Sequence, residues 1–108
     1  MTADNTAFIF LDDLRMPPSV DWLIARNAEQ AWILIQEAQQ DGKRIIASLD
    51  HDLGEDIPTG YDLLNWLEKE IVTNDDFRPN IDFAIHSANP VGRVRMEQAI
   101  RAITARLL

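Results

Sequence analysis

No cysteine occurs anywhere in the 108-residue chain, so disulfides and thiolate metal sites are excluded from the start. Histidine is nearly as scarce: there are two, His51 and His86, and any imidazole chemistry must pass through them. Basic residues are outnumbered, ten against eighteen acidic ones, for a formal net charge of −8. A protein that grips duplex DNA normally presents a basic face, so this balance argues against that class. It leaves room for a small phosphorylated ligand in a local pocket. Long apolar runs are missing too, and none approaches the length of a membrane span. Met1 to Ala7 shows no basic stretch followed by an apolar one, so no secretory leader is expected. The default location is the cytoplasm, that of the host if a phage encodes the chain. No repeat or low-complexity segment is visible. What is present is an ordinary composition, 46% hydrophobic and 26% charged, in a length that suits a single domain over residues 1–108.

Against this plain background, three apolar runs end in polar residues. Phe8-Ile9-Phe10-Leu11 runs into Asp12-Asp13, Arg44-Ile45-Ile46-Ala47-Ser48-Leu49 into Asp50-His51-Asp52, and Ile81-Asp82-Phe83-Ala84-Ile85 into His86-Ser87. β-Branched and aromatic runs of this length read as buried strands. In parallel α/β sheets, ligands bind just outside the carboxyl ends of the strands. If the three strands are parallel, all these polar groups share one rim.

The remaining elements fit that arrangement. Ala7–Leu11 is apolar throughout, as a strand covered on both faces should be. Adjacent prolines at Pro17-Pro18 exclude a helix after it, and Asp21–Arg26 reads as a second strand at an edge. Asn27 caps a helix to about Gln40 that buries Ala28, Ala31, Trp32, Ile35 and Ala38, with Gly42 as its terminator. Thr59 and Asp62 have capping-box spacing for a helix burying Leu63 or Leu64, Leu67 and Ile71. Asn89-Pro90 opens a last helix with Met96, Ile100, Ile103 and Leu107 toward the core. The alternation predicts an α/β fold, a shortened doubly wound parallel sheet of four strands in order 2-1-3-4 with three helices. An extended crossover joins its first two strands. The three tryptophans, Trp22, Trp32 and Trp66, read as core or groove wall.

The rim residues suggest phosphate chemistry. Asp12, Asp13, Asp50 and Asp52 repel one another unless a cation or protons neutralise them, and an oxygen-only donor set suits Mg²⁺ or Mn²⁺. The expected metal ligands are Asp12, Asp13 and Asp50. His51 and His86, with Asp50 and Asp52 beside them, are the candidate catalytic groups. No Asp–His dyad follows from adjacency alone, because neighbouring strand residues point to opposite faces. Ser87, Asn89 and Arg93, at the start of the last helix, and Arg15, after the first strand, are candidate phosphate contacts. Gly92 weakens the first turn of that helix, for which close approach of a ligand would be one physical reason.

These residues resemble a known pattern. Asp12-Asp13, Asp50 and Ser87-Ala88 look like the acidic pair, aspartate and hydroxyl of a response-regulator receiver domain. The resemblance is closer to the cyclic-phosphate-processing receiver-like family, carried by Leu11–Pro17, Ser48–Gly54, Thr59–Asp62 and His86–Met96. It implies a receiver (flavodoxin-like) fold and a phosphodiesterase-type hydrolase acting on a cyclic phosphate of a nucleotide or RNA end. The alternative is a non-catalytic module that binds a cyclic nucleotide or a protein partner. A true phospho-receiver is disfavoured, since no fifth strand with its lysine follows and the histidines are not receiver features.

Overall fold

The computed structural model describes residues 5–108. The reading of Met1 to Ala7 as lacking a leader therefore falls partly outside the described residues. Thr6–Leu11 (β1) lies in the middle of a parallel sheet, with Trp22–Ala25 (β2) on one side and Arg44–Leu49 (β3) and Ile81–Ile85 (β4) on the other. The order is β2-β1-β3-β4, and the connections supply Ala28–Gln40 (α1) and Gly60–Thr73 (α2), with Pro90–Leu107 (α3) last. The four-stranded parallel sheet of order 2-1-3-4 with three helices, read from the sequence, is the observed one.

Local chemistry sets the boundaries. The Asn27 side chain accepts the Gln30 N–H at 2.8 Å and starts α1. Gly42, at φ 70°, takes the left-handed conformation that ends it. Thr59 and Asp62 form a reciprocal capping box, and Asn89 caps α3 ahead of Pro90. β2 is shorter than expected, losing Asp21 and Arg26 at its ends. The ten-residue link from Asp12 to Asp21 crosses without a helix, as the prolines require. Arg26 fastens it, its Nη1 donating to the Asp12 and Arg15 carbonyls at 3.0 and 2.8 Å.

The core gathers Ala7, Ile9 and Leu11 of β1, Ala25 of β2, and Ile45, Ala47 and Leu49 of β3. Against them pack Ala31 and Ile35 of α1, Leu63, Leu64 and Leu67 of α2, and Met96 and Ile103 of α3. These strand residues alternate, so all three helices bury one face of the sheet. Right-handed crossovers in one direction, β2 to β3 and β3 to β4, demand the same. Both Leu63 and Leu64 are buried, where one was expected, whereas Trp32, Ile100 and Leu107 are only partly buried against the core.

The opposite face departs from the expectation that β1 is covered on both sides. It carries Phe8, Phe10, Trp22, Ile46 and Ser48, outside the helix-packed cluster. Phe8 and Phe10 meet the Trp22 ring edge-on at 5.4 and 6.1 Å instead. The helix-free link between β1 and β2 is why no helix lies here.

Candidate active site

Parallel strands bring Asp12, Asp13, Asp50 and His86 to one end of the sheet. The Asp50 N–H donates to the Leu11 carbonyl at 2.9 Å and the His86 N–H to Leu49 at 3.0 Å, so the ladder continues one residue past each strand before the chain turns away. Asp12, Asp13 and Asp50 each offer a carboxylate oxygen, and these oxygens lie within 4.8 Å of one another. Three hard oxygen donors at this spacing fit a divalent cation such as Mg²⁺ or Mn²⁺.

Asp12 is almost fully enclosed. Its Oδ1 accepts the Leu14 and Arg15 N–H groups at 2.9 and 2.8 Å, and its Oδ2 meets His86 Nε2 at 3.1 Å. Burial pushes its carboxyl up, but those two backbone donors and His86 together outweigh it and hold it below the ordinary value. Asp50 goes the other way. Burial and the charge of Asp12 raise it, and the His51 N–H, the nearby His86 ring and the Ser87 hydroxyl only partly compensate. The rim is thus under electrostatic load at Asp50, which a cation would relieve.

The two histidines sit on opposite sides of the sheet. His86 lies along the helix-free face, stacked on Phe10 with ring centroids 4.5 Å apart and an interplanar angle of 1°. Its Nδ1 meets Ser48 Oγ at 2.7 Å, so both ring nitrogens are engaged. His51 lies on the helix side, its ring against Gly92 in the first turn of α3. Its Nδ1 meets Asp52 Oδ1 at 2.8 Å, and Asn89 Nδ2 donates to both Asp52 oxygens at 3.4 and 3.2 Å. The bond from His51 outweighs burial and holds the Asp52 carboxyl below its ordinary value, helped by Asn89.

A dyad thus forms where adjacency alone gave none. Residues 50–52 have left the strand, so the alternation that would separate neighbouring side chains no longer applies. Gly92 is explained by the protein itself: a Cβ there would lie 2.5 Å from the His51 ring. A ligand is not needed to account for it.

The phosphate candidates divide. Arg15 reaches the rim, its Nη1 donating to the His86 carbonyl at 3.1 Å. Ser87 is buried there and accepts the Asn89 N–H at 3.1 Å. Asn89 is fully used, capping the Gly92 N–H through Oδ1 and holding Asp52 through Nδ2. Arg93 turns to the Ile85 carbonyl and Glu97, away from the acidic cluster. Ser48, Phe10 and Arg26 support the site and were given no role in it from the sequence. The hydroxyl of Ser48 in an otherwise apolar strand was the visible signal.

Residues 7–102 match the family described as the cyclic-phosphate processing receiver domain. The chain belongs to that family, and its four-stranded parallel sheet with three helices is a receiver-like α/β fold. No curated protein and no solved structure gave a significant match.

Proposed function

We propose that the rim is a metal-assisted phosphoesterase site that opens a cyclic phosphate on a nucleotide or RNA end. The observation that carries this reading is the trio of carboxylate oxygens within 4.8 Å; His51, oriented by Asp52, directly follows Asp50 in the chain. Asp12, Asp13 and Asp50 would hold Mg²⁺ or Mn²⁺, which when bound polarises phosphoryl oxygens and offsets their charge.

The chain's own residues do the rest. Asp52 accepts the Nδ1 proton of His51, which leaves Nε2 as a proton acceptor. His51 takes a proton from the attacking water. The new P–O bond forms as the bond to one ring oxygen breaks, and the proton passes to that departing oxygen. His86 acts at one remove: held by Ser48 and Phe10, it fixes Asp12 as a ligand. Arg15 and Ser87 contact the phosphate.

The competing reading is a module that retains a cyclic nucleotide intact. Incubation with 2′,3′- and 3′,5′-cyclic mononucleotides, with and without Mn²⁺, separates them. Multiple turnovers to the monoester support the esterase. One equivalent of unchanged ligand recovered from the protein refutes it.

A further inference from the structure

The outer side of β4 is an unfinished sheet edge, because no described strand pairs beyond it. The His86 N–H donates to the Leu49 carbonyl, and the Asn80 carbonyl accepts from Ile45. Backbone groups alternate in direction along a strand, so residues 80, 82, 84 and 86 face β3 and Ile81, Phe83 and Ile85 face outward. The Ile85 carbonyl agrees with this parity, since it accepts the Arg93 side chain at 3.2 Å.

Beside that edge, α3 leaves two grooves that follow β4 along its length. One, of about 390 Å³, lies among Phe83, Ile85, Ile100, Arg93, Glu97 and Arg101. The other, of about 350 Å³, is lined by Asn80, Ile81, Thr104 and Leu107, among others. Arg93 is committed to Ile85 and to Glu97 at 3.7 Å. Arg101 is exposed and makes no hydrogen bond or ion pair among the described residues. An unpaired guanidinium lines a groove that mixes apolar and charged side chains, next to outward-facing backbone groups, in a chain of net charge −8.

We propose that this edge receives an extended acidic peptide segment of another protein as a fifth strand. Main-chain hydrogen bonds to Phe83 and to the Ile85 N–H supply affinity, and alternate apolar side chains of the peptide fill the groove floor. A carboxylate of the peptide pairs with Arg101, which sets direction and selectivity. The site is separate from the strand-end rim and does not depend on its chemistry.

The test is selection of random twelve-residue displayed peptides on the full chain, then synthesis of the enriched sequence. Enriched peptides are expected to alternate apolar residues with Asp or Glu. The bound peptide slows hydrogen exchange at the Phe83 and Ile85 amides, and N-methylation of its alternate backbone nitrogens abolishes binding. R101E, a change at an exposed position, weakens binding at least ~10-fold, equivalent to ~1.4 kcal/mol. The proposal is overturned if no peptide is enriched, if enriched peptides lack acids, or if protection falls on β2 instead. It is equally overturned if the same amides are protected by RNA oligonucleotides, or by raising the protein concentration alone.

Discussion

Gly92 and His51 are fitted so closely that a single methyl group would come between them: the Cβ absent from Gly92 would stand 2.5 Å from Cγ of the His51 ring. The helix gains propensity if that residue becomes alanine, by up to about 1 kcal/mol. The ring must move to make room. Gly92→Ala is therefore expected to keep the far-ultraviolet circular dichroism of the native fold while losing on the order of 10²-fold in turnover. Shifted His51 imidazole resonances with unchanged His86 signals would locate the cause. Full activity in this variant would remove His51 from the chemistry.

The two histidines should separate in their metal dependence. His51→Ala is expected to lower kcat by ~10²–10⁴-fold with Mn²⁺ affinity unchanged, since it removes the proton acceptor. His86→Gln should weaken Mn²⁺ affinity and lower kcat less. The opposite pattern would make His86 the base.

Asp50 and Asp12 carry opposite pH signatures. The folded-state value of Asp50 is raised, so its contribution to stability declines as pH rises through the interval above the ordinary carboxylate value, and at neutral pH it is a cost. Asp12 is lowered, so its contribution is complete above the ordinary value and is lost as pH falls through its folded value. Asp50→Asn is thus expected to raise the metal-free melting midpoint at pH 7, by at least ~2 °C, and to abolish stabilisation by added Mn²⁺. Asp12→Asn should destabilise the protein by ~1–3 kcal/mol at the same pH, because its bonds to two N–H groups and His86 are weakened. Thermal melts from pH 3 to 8 check both signs.

Thr59→Ala provides a control remote from catalysis in kind. It removes one half of a reciprocal capping box on α2 and should cost about 1 kcal/mol in urea unfolding, with turnover unchanged. A larger loss would mean that the cap also sets the position of the neighbouring Asp50–Asp52 turn.

The rim was legible because three apolar runs each stop at charge, and parallel pairing carries those stops to one edge. Caps at Asn27, Thr59 and Asn89 were legible for a similar reason: their chemistry is local, within three residues. The pairing of His51 with Asp52 was not: the strand ends at Leu49 as expected, but strand alternation does not extend to residues 50–52, which lie beyond it. Nor was the engagement of Asn89 and Arg93 by the fold. Both have the right chemistry for phosphate, and only the tertiary contacts reveal that Asp52 and Glu97 use them first. The open face beside Phe10 went unread because an apolar strand looks the same whether helices or its own aromatic neighbours cover it.

The central claim is that Asp12, Asp13 and Asp50 form one cation site. Titration with Mn²⁺, followed by paramagnetic broadening of the backbone amide spectrum, tests it most directly. At substoichiometric Mn²⁺, signals from residues 12, 13 and 50 and their immediate neighbours should vanish first, and Asp13→Asn should prevent it. Broadening that instead spreads evenly over exposed acids such as Asp75 and Asp76, with no preference for the rim, would contradict it.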